Sequence, residues 1–288
     1  MYKEFYQLKE NPFNMTADPD FFFSSVQHSE AFSHLVYGIQ ERKGIIIVTG
    51  EIGTGKTTLC RTLLNRLDRN TKTALILNPS FSELQLLQLI LKDLGIEGKF
   101  RNKFALMDVL NKFLIEESSQ GHNVVLIIDE AQNLSIRQLE QIRLLSNLET
   151  EKEKLLQIIL VGQPELYEKL KLPALRQLNQ RIAVRFHIQP LEHHELDDYI
   201  HHRLRVASTN HGRKPRPHFT DKAVETIYQK SAGTPRLINI LCDRALLAGF
   251  LAETHIIDEQ IIQQCIEEVL TYEHHTRGLK ENAGSTAV

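Results

Sequence analysis

The sequence predicts an α/β fold in three layers, αβα, with a parallel sheet between helices and a smaller all-helical domain after it. Short apolar segments alternate with segments of helical periodicity, which is typical of a parallel sheet with helices on both faces. A glycine-rich loop at residues 50–57 directly follows the first apolar segment. After Pro190 the strand patterns stop and helical patterns continue. We therefore expect a sheet-containing core and a helical part that meet near this proline.

The elements follow from hydrophobic periodicity along the chain. An aromatic, turn-rich arm and a helix over residues 29–41 occupy residues 1–42. The predicted strands are residues 44–49, 73–77, 124–128, 155–161 and 182–188. Helices are predicted to begin near residue 56 and to cover residues 83–94, 103–117, 135–148, 192–207, 220–231, 235–252 and 258–272. The predicted domains are the arm and helix, a core over 43–190, a helical domain over 191–272 and a flexible tail over 273–288.

Length and composition narrow the class of protein. The chain has 288 residues, 42% hydrophobic and 24% charged, which is enough for one large domain and one smaller domain. Its net charge of −2 argues against a protein that coats nucleic acid through overall positive charge. Its 3 cysteines are widely spaced and odd in number, which favours a reducing cytoplasm over a disulfide framework. No apolar run approaches the ~18 residues of a membrane span, so we expect neither a span nor export.

A binding site for the phosphates of a nucleoside triphosphate is predicted at the loop Gly50-Glu51-Ile52-Gly53-Thr54-Gly55-Lys56-Thr57. Glycine allows backbone N–H groups to converge on an anion, and the following helix turns its positive dipole end toward the same point. The Lys56 ammonium would reach the β- and γ-phosphates, and the Thr57 hydroxyl would be a ligand of Mg²⁺. Thr58 completes the set of predicted binding residues. A chance match in a glycine-containing turn would not explain the apolar strand before the loop and the helical pattern after it.

Two adjacent carboxylates, Asp129 and Glu130, end the third predicted strand. Ligands of an open parallel sheet bind at the carboxyl ends of its strands, so this pair should lie beside the phosphate loop. Asp129 would then hold Mg²⁺ through its water shell, and Glu130 would polarise the attacking water. An acidic helix start is the alternative interpretation. The presence of the phosphate loop upstream of this acid pair favours the catalytic interpretation.

The fourth predicted strand ends before Gln163. An amide at this place could orient the lytic water between the acid pair and the γ-phosphate. A turn residue before a proline would have the same pattern, so both interpretations stay open.

Phosphoryl transfer also uses arginine to stabilise the charged phosphate oxygens. Arg181 precedes the fifth predicted strand, where it could reach the nucleotide of a neighbouring subunit, and Arg176 and Arg185 compete for this role. Arg236 follows Pro235 at a helix start of the second domain, from which it could swing onto bound nucleotide. The alternative for each arginine is a surface ion pair, which contributes little.

In order and spacing, these motifs resemble those of the AAA+ ATPases: Walker A at Gly50–Thr57, Walker B at Val124–Glu130, Gln163, Asn179-Gln180-Arg181 and Gly233-Thr234-Pro235-Arg236. The chain resembles more narrowly the ExeA/GspA group, which includes secretion-pathway ATPases, pilus-biogenesis relatives of the MshM type, and ATPases of polysaccharide-export and exosortase loci. This resemblance rests on Asn11-Pro12-Phe13, Asp18-Pro19-Asp20-Phe21, His28-Ser29-Glu30-Ala31, the loop with Thr58-Leu59, Asp129-Glu130-Ala131-Gln132 and Val161-Gly162-Gln163-Pro164-Glu165-Leu166.

The resemblance implies a P-loop NTPase core with sheet order 5-1-4-3-2 and a helical lid. It implies ATP and Mg²⁺ as ligands, Gln163 as sensor 1, Arg236 as sensor 2, and Arg181 as an arginine finger that acts in trans within a homo-oligomer. Partners would be proteins of a secretion, pilus or export machine, and the location would be cytoplasmic, including a peripheral position at the inner face of the cell membrane. Secretion members continue into a membrane span and a peptidoglycan-binding region, and this chain ends before either. We therefore expect its closest counterparts to be the shorter pilus and export relatives.

Two other functions compete with this one. A nucleotide-switched DNA-binding regulator of the TnsC/TniB type would share the core, and the basic segment 212–218 could contact phosphate backbone. We place nucleic-acid binding second, because such short basic runs are usually exposed linkers. An ATP-binding scaffold without hydrolysis would have no use for Glu130. The histidine pairs His193-His194, His201-His202 and His274-His275 lack the spacing of metal ligands and indicate solvated helix faces.

Overall fold

The computed structural model describes residues 2–79, 81–98, 100, 102–209 and 217–268. Chain contacts divide them into two compact units. Ala17–Gln189 form the sheet unit, and the described residues before and after this range form the helical unit. The division before Pro190 lies where the strand patterns end in the sequence. The division after Thr16 falls inside the predicted arm and helix over residues 1–42.

A parallel sheet of 5 strands lies at the centre of the sheet unit. Its strands are β1 Ile45–Gly50, β2 Thr71–Ile76, β3 Asn123–Ile128, β4 Gln157–Gly162 and β5 Ile182–Ile188. They lie in the order β2-β3-β4-β1-β5, which confirms the order 5-1-4-3-2 that the resemblance implied. β1 therefore has a hydrogen-bonded neighbour on each side.

The α-helices, in chain order, are α1 Tyr2–Phe5, α2 Val26–Gln40, α3 Lys56–Arg66, α4 Glu83–Asp93, α5 Lys103–Ser119, α6 Ile136–Leu145, α7 Glu165–Leu170, α8 Arg176–Gln180, α9 Leu196–Ala207, α10 Asp221–Ser231 and α11 Pro235–Leu251. Residues 259–268 are also helical. Single 3-10 turns occur at Pro19–Phe21, Ala131–Asn133, Pro173–Leu175 and His193–Glu195. The long helices have ends within a few residues of those predicted. The short helices α7 and α8 were not predicted, because so few residues show no periodicity.

Both faces of the sheet are buried under helices, which gives the three layers. The side chains of β1 alternate between two hydrophobic clusters, as the pleat of a strand requires. Ile45 and Ile47 belong to the cluster that also contains buried residues of α4, α5 and α6. Ile46 and Val48 belong to the cluster with α2 and α3. A strand buried in this way reads as a continuous apolar run, which is why the sequence predicted it clearly.

Helix α2 begins earlier than the predicted residue 29. Ser25 is its N-cap, and the Ser25 hydroxyl accepts a hydrogen bond of 3.2 Å from the backbone N–H of His28. Such a cap satisfies one of the free N–H groups at a helix start and so sets where the helix begins. The first apolar residues of the helical pattern lie beyond the cap, so periodicity alone placed the start too late.

The helical unit contains α1, α9, α10, α11 and the helix over residues 259–268. It also contains a short parallel pair, β6 His218–Phe219 and β7 Ile256–Ile257, where the sequence predicted helices alone. Two-residue strands are too short to show an alternating pattern. Within the described parts of the chain, no helix is both long enough and apolar enough to cross a membrane.

The aromatic arm packs within the helical unit. The buried guanidinium of Arg203 on α9 donates to the carbonyl oxygens of Pro12 and Asn14, at 2.5 and 3.0 Å. The Tyr2 hydroxyl donates to the Asp243 carboxylate on α11 at 2.6 Å. These bonds give the Asn-Pro-Phe segment of the arm a structural role that its sequence did not reveal.

Gly233 can be replaced by no other residue without strain. Its φ is 73°, and a Cβ atom there would lie 2.0 Å from the carbonyl oxygen of Leu191. The Leu191 N–H in turn donates to the Gly233 carbonyl at 2.9 Å. The Gly-Thr-Pro-Arg segment therefore begins with a glycine because two backbone segments of the helical unit approach closely.

We expect exchanges of glycine and alanine at the adjacent positions 232 and 233 to change stability in opposite directions. Gly233→Ala forces a side chain onto the Leu191 carbonyl and should lower the free energy of unfolding by more than ~1 kcal/mol. Ala232 has a φ of 45°, which is strained for a residue with a side chain. Ala232→Gly removes this strain and should raise the free energy of unfolding by ~0.5–1 kcal/mol. Thermal unfolding followed by circular dichroism measures both effects. Destabilisation by both exchanges would contradict this interpretation.

Candidate nucleotide-binding and catalytic site

The predicted phosphate loop connects β1, which ends at Gly50, to α3, which begins at Lys56. Gly53 and Gly55 have φ values of 85° and 91°, in the left-handed region that favours glycine. A Cβ atom at Gly50 would lie 2.8 Å from the carbonyl oxygen of Ile188. The loop therefore needs its glycines for this path, which leaves the free N–H groups at the start of α3 available to an anion.

The Lys56 side chain lies along this loop and is 7% exposed. Its ammonium donates to the carbonyl oxygens of Gly50 and Glu51, at 2.7 and 2.8 Å. Burial lowers the pKa of Lys56, and the charges of Glu130 and Asp129 oppose this shift. A cation in so dry a place interacts strongly with an anion brought to the loop.

Thr57 and Asp129 lie in direct contact, although they belong to different elements of the sheet unit. The Thr57 hydroxyl, in the first turn of α3, donates to the Asp129 carboxylate at 2.6 Å. Burial raises the pKa of Asp129, and the hydrogen bonds from Thr57 and from the Glu130 N–H oppose this shift. A hydroxyl and a carboxylate are the hard oxygen ligands that Mg²⁺ takes, so the residues fit this ion. Among the described residues, no group of 3 or more His, Cys, Asp or Glu is arranged to hold a metal ion.

Glu130 has an unusual backbone conformation for a residue with a side chain, φ 52° and ψ 37°. Its N–H donates to the Asp129 carboxylate at 2.9 Å, which helps to hold this turn. Non-glycine residues in this region cost on the order of 1 kcal/mol or more and occur often at functional sites. The two adjacent carboxylates have different partners, Thr57 for Asp129 and Gln132 for Glu130.

Two amide side chains converge on the Glu130 carboxylate. Gln132 Nε2 donates to Glu130 Oε2 at 2.5 Å, and Gln163 Nε2 lies 3.4 Å from the same oxygen. Gln132 Oε1 also accepts from the backbone N–H of Gln163 at 3.0 Å. Gln132 therefore links the end of β3 to the end of β4.

Gln132 belongs to the motif Asp129-Glu130-Ala131-Gln132, but the sequence predicted no role for it. Like Gln163, it is an amide that follows the carboxyl end of a strand, and this signal could have identified it. A Cβ atom at Gly162 would lie 2.8 Å from Gln132 Oε1, so the glycine before Gln163 makes room for this side chain. The Lys169 ammonium donates to the backbone carbonyls of Gln132 and Leu134 and holds the turn in place.

The sheet unit thus brings together Lys56, Thr57, Asp129, Glu130 and Gln163, as the sequence predicted. Of the other loop residues, Glu51 and Ile52 are exposed, Thr54 is buried, and Thr58 is half-buried in the first turn of α3.

The candidate arginines differ in their surroundings. Arg185 donates to the carbonyl and side-chain oxygens of Asn179, at 2.9 and 2.5 Å, so its guanidinium is engaged within the chain. Arg176 and Arg181 are exposed, and neither forms an ion pair or side-chain hydrogen bond within the described residues. Arg236 is exposed at the second position of α11 in the helical unit. Arg176 and Arg181 therefore have guanidinium groups that a second subunit could use.

Among the described histidine pairs, three members have exposed side chains beside carboxylates, whereas His202 is half-buried and its Nδ1 lies 3.2 Å from the Arg205 guanidinium. His193 contacts Glu225 at 2.5 Å, His194 contacts Glu192 at 3.3 Å, and His201 contacts Asp197 at 3.2 Å. The pair His274-His275, the basic residues 212–216 and the predicted tail over 273–288 lie outside the described residues.

Comparisons with known proteins agree with this fold. A family model for the AAA domain matches residues 39–170. General secretion pathway protein A of Aeromonas hydrophila is 45% identical over 258 residues, which cover 89% of this chain and 46% of that protein. The chain therefore spans about half the length of this relative.

Solved structures with a similar fold include ORC2 of Aeropyrum pernix in ADPNP–ADP complexes, with a TM-score of 0.65 and 16% identity over 90% of this chain and 72% of that one. Drosophila ORC bound to DNA has a TM-score of 0.64 and 20% identity over 93% of this chain and 65% of that one. The RuvB Holliday junction branch migration motor of Thermotoga maritima has a TM-score of 0.56 and 18% identity, and the match covers 91% of this chain and 72% of that one. Identities this low show the fold alone.

The nucleotide loop, the acid pair at the end of β3, the strand order and the similarity to general secretion pathway protein A all agree. The chain therefore belongs to the AAA+ ATPase family, and within that family it resembles the ExeA type.

Proposed function

We propose that the chain hydrolyses ATP with Mg²⁺, acts as a homo-oligomer, and powers or regulates assembly of a cell-envelope secretion, pilus or polysaccharide-export machine. The observation that carries the enzymatic part is the Glu130 carboxylate, held by Gln132 beside the Thr57–Asp129 pair. A carboxylate with this support is suited to accept a proton from water. The name of the Aeromonas relative supports a role in secretion. A protein with that role would be located in the cytoplasm or at the inner face of the cell membrane.

Each residue of the site has a separate task in this reaction. Lys56 and the loop N–H groups bind the phosphates, and Thr57 and Asp129 hold the metal ion. Mg²⁺, when bound, supplies charge neutralisation at the β- and γ-phosphate oxygens. Glu130 takes the proton of the attacking water, while Gln163, as sensor 1, orients that water. Arg236 would report nucleotide binding to the helical unit as sensor 2.

We expect Glu130→Gln to bind ATP with nearly normal affinity and to lose at least ~100-fold in kcat, because an amide of the same shape accepts no proton. Nucleotide affinity is measured with a fluorescent ATP analogue and turnover by phosphate release. Glu116→Gln on the exposed surface of α5 is the matched control and should keep full activity. Normal turnover in the Glu130 variant would remove this residue from the role of base.

We expect Gln132→Ala to lower kcat about tenfold and to leave KM for ATP nearly unchanged, because Glu130 loses the donor that orients it. The neighbouring Asn133→Ala serves as the control in the same steady-state assay. A variant with higher KM and normal kcat would show instead that Gln132 acts in nucleotide binding.

We expect Arg181→Ala to reduce turnover by on the order of 10³-fold if its guanidinium completes the site of a neighbouring subunit. Mixing Arg181→Ala with Glu130→Gln should restore activity above the sum of the two, because the first supplies intact Glu130 and the second intact Arg181. Arg185→Ala, whose side chain is bound to Asn179 within the chain, should remain active alone. A mixture no more active than its separate components would exclude the trans arrangement.

A further inference from the structure

His28 supports the phosphate-binding loop from helix α2. The imidazole is buried, with 5% of the residue exposed, and its Nε2 lies 2.9 Å from the backbone carbonyl oxygen of Thr54. Thr54 is inside the loop, whereas His28 precedes β1 in the chain. The proposed roles of the phosphate loop, of Asp129 and Glu130, and of Gln132 and Gln163 do not depend on this contact.

The surrounding groups determine which imidazole nitrogen carries the proton. The Thr54 carbonyl oxygen only accepts, so His28 Nε2–H is the donor. Nδ1 lies 2.7 Å from the Ser25 hydroxyl, which can donate to it. The same hydroxyl accepts from the His28 backbone N–H. An imidazole with its proton on Nε2 therefore gives a hydrogen-bond partner to the Thr54 carbonyl and to the Ser25 hydroxyl.

The imidazole is held rigidly. Leu35 and Ile39 of the same helix are buried in the cluster that contains Val48 of β1, so α2 cannot shift relative to the strand that leads into the loop. The Phe22 ring packs edge-on against the imidazole, with centroids 5.6 Å apart and planes at 84°. A side chain that packing holds in one rotamer can keep its hydrogen-bond partner in one orientation.

The geometry of a peptide bond transmits this contact to the other side of the loop. The peptide between Thr54 and Gly55 is trans, so its C=O and N–H point in opposite directions. His28 holds the C=O, and the Gly55 N–H is therefore turned away from the imidazole. Gly55 is the N-cap residue of α3, and its N–H is among the donors at a helix start that bind an anion. A Cβ atom at Gly55 would lie 2.9 Å from His28 Nε2, so the ring lies directly against this peptide.

We propose that His28 is a positioning residue for nucleotide binding, which orients the Thr54–Gly55 peptide through its Nε2–H and thereby aims the Gly55 N–H at the phosphates. The inference rests on the proposed function, because the loop is the same. It adds a contribution from helix α2, outside the Walker motifs.

Two amide substitutions separate this role from simple packing. In His28→Gln the side-chain NH₂ reaches about as far as Nε2 and can still donate to Thr54, whereas in His28→Asn it reaches only about as far as Nδ1. We expect His28→Asn and His28→Ala to weaken binding of Mg²⁺ with methylanthraniloyl-ADP about tenfold, and His28→Gln to stay within about threefold of the unsubstituted protein. The KM for ATP should rise in the same order, while kcat at saturating ATP changes less than KM.

His34→Gln is the control, because His34 lies on the same helix with an exposed side chain. If the Asn variant does not fold, Ser25→Ala, which removes the partner of Nδ1, should still weaken binding relative to His34→Gln. Equal affinities of the Gln and Asn variants, at normal or at reduced strength, would overturn the inference while leaving the proposed function intact. Absence of nucleotide binding in the unsubstituted protein would overturn both.

Discussion

The position of the phosphate-binding loop depends on the burial of β1. Its side chains pack into clusters on both faces, and both of its edges are paired, with β4 on one side and β5 on the other. A shift of one residue would move each apolar side chain to the wrong face and break both ladders. The end of the strand at Gly50 is therefore fixed, and with it the start of the loop and of α3. Both ends of the glycine loop are therefore anchored in the core.

The contact between Thr57 and Asp129 has to span the end of β4, which lies between β1 and β3. Adjacent strands are about 4.8 Å apart, so the two outer strands of this trio are separated by roughly twice that distance. The first turn of α3 and the Asp129 side chain close the gap. β4 contributes Gly162 at its own end, where the missing side chain leaves space for Gln132. The carboxylate of Glu130 is then held across this space by amides from two connections.

Strain and support occur together at this site. Glu130 has a left-handed backbone conformation, and hydrogen bonds to Asp129 and from Gln132 surround it. Lys56 donates to loop carbonyls from one direction, and His28 donates to the Thr54 carbonyl from another. These donors hold the backbone of the loop from two sides.

Much of the molecule could be read from the chain without coordinates. The strand and helix order, the break near Pro190 and the positions of Lys56 at a helix start and of Asp129 at a strand end follow from hydrophobic periodicity and short motifs, which are properties of neighbouring residues. The partners of Gln132, the engagement of Arg185 and the packing of the arm against Arg203 could not be read in this way. The contacts of Gln132 with Gln163 and of Arg203 with Pro12 join segments far apart in sequence, and no local pattern records which segments will meet. Arg185 and Asn179 are close in sequence, but the turn that brings their side chains together shows no periodicity. In the sheet unit, the buried strands and the glycine at the end of β4 bring such segments together, because only side chains that fit the remaining space can be accommodated there. In the helical unit, the buried guanidinium of Arg203 holds the arm.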